Sequence, residues 1–246
     1  MSGTSAFNRL PALALLAGGL ATRLRPITEV MPKSMVMVAG EPFIGHQLRL
    51  LRREGITDIV ICTGHLGEQV VSFVGDGSRF ECNVQYAADG NRLLGTGGAL
   101  REALPLLGPP FFVMYGDSYL DISFRPVYEA FLRANCPALM TVFRNANQWD
   151  KSNVEYTDGR IRQHDKVNRT RAMRHIDYGL GILTSSALAQ RPTGVPFDLA
   201  EVYRDLAACG ELAGYEVQNR FYEIGSPAGL AETDSYLLAK QHGVKT

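Results

Sequence analysis

The feature that most restricts this chain is a series of short, continuous apolar runs, each followed within a few residues by a helical pattern. Ala12 to Ala17, Asp58 to Thr63, Cys82 to Ala87 and Pro110 to Tyr115 read as strands. Apolar runs without alternation are expected where both faces of a sheet are covered. Between the runs, Phe43, Ile44, Leu48 and Leu51 recur at helical spacing and stop at Gly55, a residue suited to ending a helix. Leu66 to Val74 and Thr96 to Leu107 predict two further helices. This alternation predicts a largely parallel sheet with helices on both faces, and in such sheets ligands bind beyond the carboxyl ends of the strands.

After about residue 125 the pattern changes. Pro126 to Asn135 reads as a helix and Ala138 to Arg144 as a strand, and Asn153 to Tyr156 and Arg160 to Gln163 flank the tight-turn pair Asp158-Gly159. Met173 to Thr184, Asp198 to Cys209, Leu212 to Val217 and Pro227 to Gln241 follow as strand, helix, strand and helix. We find no internal repeat and no low-complexity linker. The expectation is one α/β domain over residues 1–246: a mixed, mostly parallel central sheet flanked by helices, with a small antiparallel lobe. It would have two parts, about 10–125 with the parallel nucleus and about 126–246 with the antiparallel lobe.

Composition bears on partners. The chain is 46% hydrophobic and carries 25 basic against 25 acidic residues, which excludes a disordered chain and a general nucleic-acid binder. No apolar run approaches the roughly 18 residues that span a bilayer. The short apolar stretch after Arg9 resembles a signal sequence, but Gly18-Gly19, Arg23 and Arg25 follow at once and suit a buried strand entering a loop. Cys62, Cys82, Cys136 and Cys209 show neither disulfide nor zinc spacing and are expected as reduced, mostly buried thiols of a cytoplasmic protein.

The first strand runs into Leu16-Ala17-Gly18-Gly19-Leu20-Ala21-Thr22-Arg23-Leu24-Arg25-Pro26, then Met31-Pro32-Lys33-Ser34. Glycines directly after a buried strand let backbone N–H groups approach phosphates, and Arg23 and Lys33 add charge. The Walker and Rossmann glycine patterns are both absent, which argues against a dehydrogenase. The longer string, A-G-G-x-x-T-R-L-x-P-x-T and then P-K, resembles the signature of the sugar-1-phosphate nucleotidyltransferases. Leu94 to Leu100, Tyr115-Gly116-Asp117-Ser118, Ile161 to Lys166 and Tyr222 to Pro227 follow in that family's order, so the resemblance covers residues 12 to about 240.

The resemblance implies a Rossmann-like nucleotidyltransferase fold and a reaction that joins a nucleoside triphosphate to a sugar 1-phosphate, with Mg²⁺, giving a nucleotide sugar and pyrophosphate. The sugar phosphate is already an anionic nucleophile, so positioning and charge neutralisation matter more than a general base. By the same resemblance Arg23 and Lys33 are catalytic, and Leu16, Ala17, Gly18, Gly19, Thr22, Arg23, Gly95, Thr96, Gly97 and Gly98 bind the nucleotide. Asp117 and Glu223 hold the metal, Glu223 standing where relatives have Asp. Lys166, Asp177, Gly179 and Asn153 bind the sugar phosphate.

Asp177 replaces an Asn of the family pattern, so it accepts but does not donate hydrogen bonds; a hydroxyl-rich neutral sugar satisfies it and an acidic one is repelled. Residues 160 to 175 carry a formal +5 that could attract or close over a sugar phosphate. The short form of the chain looks closest to small bacterial enzymes using GTP with D-glycero-D-manno-heptose 1-phosphate or mannose 1-phosphate, in lipopolysaccharide or capsule synthesis. Uridylyl or thymidylyl transfer to glucose or N-acetylmuramate 1-phosphate stays open, as does a non-catalytic nucleotide-sugar-binding regulatory relative. The expected partners are the two small substrates, with no nucleic acid and no membrane, and a homodimer stays open.

Overall fold

The computed structural model describes residues 9–19, 22–90 and 92–243. In chain order the elements are β1 (Leu13–Leu16), β2 (Met37–Val38), β3 (Glu41–Pro42), α1 (Phe43–Arg53), β4 (Asp58–Thr63), α2 (Gly67–Val74), β5 (Asn83–Ala88), α3 (Gly95–Ala103), β6 (Phe111–Tyr115) and β7 (Ser118–Tyr119). Then come α4 (Phe124–Ala134), β8 (Ala138–Phe143), β9 (Val154–Thr157), β10 (Arg160–His164), β11 (Ile176–Leu183), α5 (Leu199–Ala208), β12 (Leu212–Val217), β13 (Tyr222–Glu223) and α6 (Pro227–Gln241). Two-residue strands such as β2, β3, β7 and β13 have too few positions to show a period, and the sequence patterns do not reveal them.

The main sheet has the order β5-β4-β1-β6-β11-β8-β12-β10-β9. β5, β4, β1 and β6 pair in parallel, as do β8 and β12; β11 and β10 run against their neighbours, so the sheet is mixed and mostly parallel. The antiparallel hairpin of β9 and β10, turned by Asp158 and Gly159 at positive φ, extends the same sheet at its far end.

Both faces of the sheet are buried, and side chains of the continuous runs sort alternately to the two sides. Leu13, Leu15, Ile59, Ile61, Phe112 and Met114 meet Ile44, Leu48 and Leu51 of α1 and Phe124, Val127 and Phe131 of α4. Ala14, Leu16, Val60, Cys62, Phe111 and Val113 meet Ala99 and Leu100 of α3 and Leu199, Val202 and Tyr203 of α5. A third cluster seats α6 on the β2–β3 hairpin through Leu237, Val38, Phe43 and Ile224.

The predicted helix after Thr96 ends early: α3 stops at Ala103 and a 3₁₀ turn, Leu104–Leu106, follows, since Pro105 cannot continue an α-helix ladder. β11 begins three residues later than expected, because Met173 to His175 belong to the turn and bridge that precede it. Cys62 and Cys82 are buried, Cys136 is half-buried and Cys209 is exposed, so the expectation of mostly buried thiols holds for half of them. Among the described residues no helix is long and apolar enough to cross a membrane.

Candidate active site

The shared register of β4, β1 and β6 puts Cys62, Leu16 and Tyr115 level with one another at the carboxyl ends of the three strands. Beyond them lies a cavity of about 340 Å³. Leu16, Ala17, Gly18 and Gly19 form one wall, Gly95 and Thr96 another, and Lys33 and Asp117 stand at its polar end. The predicted nucleotide loop, the glycine run and two charged residues are thus gathered from four separate segments. Leu20 and Ala21 lie outside the described residues, as does the side chain of Thr22.

Glycine serves different purposes here. A side chain on Gly18 would press on the backbone of Gly64, 3.1 Å from its nitrogen, whereas one on Gly19 would meet nothing within 4 Å among the described residues. Gly97 and Gly98 do not line the cavity. Their N–H groups donate to the carbonyl of Phe197, at 3.0 and 3.3 Å, and a Cβ on Gly97 would run into the Phe197 ring. Thr96 lines the cavity, but its hydroxyl also donates to Asp198 at 3.0 Å and accepts from the Leu199 N–H at 2.9 Å, joining α3 to the start of α5.

The charged end is built by the small β7–β13 pairing, which sets Glu223 opposite Ser118, next to Asp117. The Ile224 N–H donates to the Asp117 carbonyl at 2.9 Å. Lys33 Nζ donates to Asp117 Oδ2 at 2.6 Å with only 15% of its side chain exposed. At Gly225 a built Cβ would stand 3.1 Å from Lys33 Nζ, 3.3 Å from Arg23 Nη2 and 2.5 Å from Glu223 Oε2. Arg23, Lys33 and Glu223 therefore meet at one point that only a glycine leaves open, and Lys33 ties Asp117 to it.

The Glu223 carboxylate accepts from the Gly225 N–H and from Ser226 Oγ, the latter at 2.7 Å, while Ser226 caps α6 by accepting from Gly229 N at 3.0 Å. Each carboxylate oxygen offers about two lone-pair sites, so Asp117 and Glu223 keep acceptor capacity for a hard cation that also takes phosphate oxygens. The donor set fits Mg²⁺ as a two-carboxylate site completed by substrate; among the described residues no group of three or more His, Cys, Asp or Glu could hold a metal alone.

The four predicted sugar-side residues form a second group. Asn153 is buried and its Oδ1 accepts from the Asp177 N–H at 3.1 Å, so it positions Asp177. Asp177 Oδ1 accepts from the Gly179 N–H at 3.0 Å and Oδ2 from the Tyr115 hydroxyl at 3.1 Å. Lys166 Nζ lies 5.8 Å from the centre of the Tyr115 ring and 4.0 Å from Asp198 Oδ1. Of the basic segment, Arg162, Arg169, Arg171 and Arg174 are exposed, while Arg160 is half-buried and donates to Cys136 Sγ and the Gly210 carbonyl.

Ser34, Asp89, Tyr115 and Cys62 line the cavity and are not in the predicted site set. Ser34 Oγ is buried at the cavity wall with no hydrogen-bond partner among the described residues. Asp89 accepts from Leu94 N at 3.1 Å, and burial pushes its pKa up. Tyr115 is hidden in sequence because it ends an apolar run that reads as a strand; burial first, and then the charge of Asp177, hold its phenol protonated far above the usual range. Cys62 at the cavity floor is also inert as a thiolate, pushed up to about 12 by burial.

The model of the nucleotidyl transferase family matches residues 13–153, and the chain belongs to that family. It is 41% identical over 116 residues to an N-acetylmuramate α-1-phosphate uridylyltransferase of Neisseria meningitidis serogroup B, covering 47% of this chain and 50% of that protein. It is 27% identical over 224 residues to a mannose-1-phosphate guanyltransferase of Hypocrea jecorina, covering 87% of this chain and 60% of that one. The chain thus spans 50% and 60% of the length of these two curated relatives. In fold it is similar to HddC from Yersinia pseudotuberculosis complexed with GMP-PN, with a TM-score of 0.79 over 93% of this chain and 100% of that one at 21% identity.

Proposed function

We propose that this protein joins a nucleoside triphosphate to a sugar 1-phosphate, giving a nucleotide sugar and pyrophosphate. The observation that carries this reading is that Lys33, paired with Asp117 in a cavity walled by Gly18, Gly19 and Gly95, also meets Arg23 and Glu223 around Gly225. A phosphate oxygen of the sugar phosphate attacks the α-phosphorus in line, and the bond to the β-phosphate bridging oxygen breaks. No proton has to move, so the residues act by charge and position. Arg23 and Lys33 neutralise the triphosphate and the departing pyrophosphate, and Ser34 Oγ supplies a hydrogen-bond donor to a phosphate oxygen. Asp117 and Glu223 would hold Mg²⁺, which neutralises phosphate charge when bound. The cavity floor of Leu16, Cys62 and Ala99 takes the base, and Lys166 holds the phosphate of the acceptor.

For the substrate pair we favour GTP with a manno-configured sugar 1-phosphate, mannose or D-glycero-D-manno-heptose. The similarity to a mannose-1-phosphate guanyltransferase runs through 87% of the chain, and Asp177, an acceptor, suits a neutral hydroxyl-rich sugar. Uridylyl transfer is the second reading, favoured by the higher identity of the Neisseria relative, although a carboxylate-bearing sugar opposes Asp177. Pyrophosphate release with Mg²⁺, each of four ribonucleoside triphosphates and dTTP, and a panel of sugar 1-phosphates tests both. Turnover with GTP and mannose or heptose 1-phosphate is expected, and no release with any pair overturns the assignment.

A further inference from the structure

Tyr115 is the partition between the two groups of site residues. Its ring lines the cavity on one side. On the other, its hydroxyl reaches Asp177 Oδ2 at 3.1 Å, and the Lys166 ammonium stands 5.8 Å from the ring centre. Gly179, at φ +99°, lets the chain pass this ring; a Cβ there would lie 3.3 Å from Tyr115 Cδ2 and 3.2 Å from Ser118 Oγ. The backbone is held as well, since Gln47 Nε2 donates to the Tyr115 carbonyl at 3.2 Å and to the Ser118 carbonyl at 2.8 Å. Ring and hydroxyl are therefore locked at both ends.

Two donors already address Asp177, the Gly179 N–H at Oδ1 and the Tyr115 hydroxyl at Oδ2. An ionised carboxylate offers about four lone-pair sites, so one remains on each oxygen. The phenol spends its single proton on Asp177 and has only acceptor capacity left. Beside the Lys166 ammonium, what Tyr115 and Asp177 themselves present accepts hydrogen bonds, and paired acceptors on one carboxylate match two neighbouring hydroxyl donors. A ligand lacking one hydroxyl leaves a desolvated acceptor unpaired, which discriminates more strongly than a lost apolar contact.

We propose that Tyr115 is a specificity-determining positioning residue: it orients Asp177 to accept from two vicinal hydroxyls of a neutral sugar 1-phosphate, while its ring carries Lys166 toward that sugar's phosphate. This rests on the nucleotidyl-transfer reading above and narrows it to sugars with free adjacent hydroxyls and no carboxylate beside them. Tyr115→Phe keeps the ring and removes only the donor to Asp177; Tyr115→Leu removes the platform under Lys166 as well.

The test is calorimetric binding of mannose 1-phosphate, and of its 2-deoxy and 3-deoxy forms, to the full chain with Mg²⁺ and a non-hydrolysable GTP analogue, alongside steady-state kinetics. Tyr115→Phe should weaken the sugar phosphate about tenfold or more, as loss of a hydrogen bond to a charged group does. The change should fall on the sugar KM rather than the triphosphate KM, and the penalty for at least one deoxy sugar should shrink. Tyr115→Leu should weaken sugar-phosphate binding further. Sugar binding and deoxy discrimination equal to wild type in Tyr115→Phe would overturn the proposal. Wild-type protein that binds sugar phosphates but releases no pyrophosphate with any pair would overturn the catalytic reading instead, and wild type that binds none would overturn both.

Discussion

Two glycine stretches, Gly18-Gly19 and Gly95 to Gly98, look alike as sequence and do different work. A Cβ on Gly19, at the cavity wall, would meet nothing within 4 Å among the described residues. Gly97 and Gly98 instead let α3 press against the segment before α5, their N–H groups spent on the Phe197 carbonyl. Gly19 stands clear at the cavity wall, whereas Gly18, Gly97 and Gly98 make way for other parts of the chain. A phosphate cradle and a packing seam share a composition because both need close backbone approach.

The cradle side should give the largest effect. Arg23 is exposed and its guanidinium points to Gly225, so Arg23→Ala should leave the fold intact and lower kcat by about 10²–10³-fold, the scale for losing one charge stabiliser of a transition state. An unchanged melting temperature with lost turnover confirms the division; a fall in both would place Arg23 on the structural side. On the seam, Gly97→Ala drives a methyl into the Phe197 ring. Overpacking of that kind costs about 3 kcal/mol, or roughly 10 °C in melting temperature for a chain this size. A variant with native stability but weakened triphosphate binding would return Gly97 to the ligand.

Gly19→Ala sharpens the same contrast at smaller scale. Among the described residues nothing lies within 4 Å of the added methyl, so thermal stability should hold within a degree or two, while displaced phosphates cost about 10- to 100-fold in kcat/KM for the triphosphate. Equal effects of Gly19→Ala and Gly97→Ala on stability would dissolve the distinction.

The paired substitutions also show what sequence alone can carry. Strands β1, β4 and β6 were legible because burial of both faces leaves continuous apolar runs, and the cavity position followed from the rule for parallel strands. The role of Gly97 was not legible, since Phe197 lies a hundred residues onward and no local pattern says which object a glycine makes way for. Asp117 and Glu223 could be named from a resemblance, but their adjacency depends on β7 and β13, pairs of residues with no period. Tyr115 was read as one more apolar strand position, because its hydroxyl shows its purpose only beside Asp177.

The smallest effect reads the seam by protons. His164 on β10 is buried, with its ring edge-on to Tyr203 of α5 at 6.1 Å, and Asp177, Lys166 and Asp198 are the charged groups that bear on it. Burial pushes its pKa below the ordinary 6.5, outweighing the pull of Asp177. On acidification the unfolded chain takes up this proton near 6.5 while the folded chain does so only at lower pH, so falling pH favours unfolding across that interval. The slope from one proton is at most about 1.4 kcal/mol per pH unit. His164→Leu should remove it: the difference in unfolding free energy between variant and wild type should be constant above about pH 7.5 and move in the variant's favour as pH falls below 6.5. Comparing the two proteins cancels the other titrating groups. A difference that stays flat to pH 5 would mean that His164 charges as readily between β10 and α5 as in water.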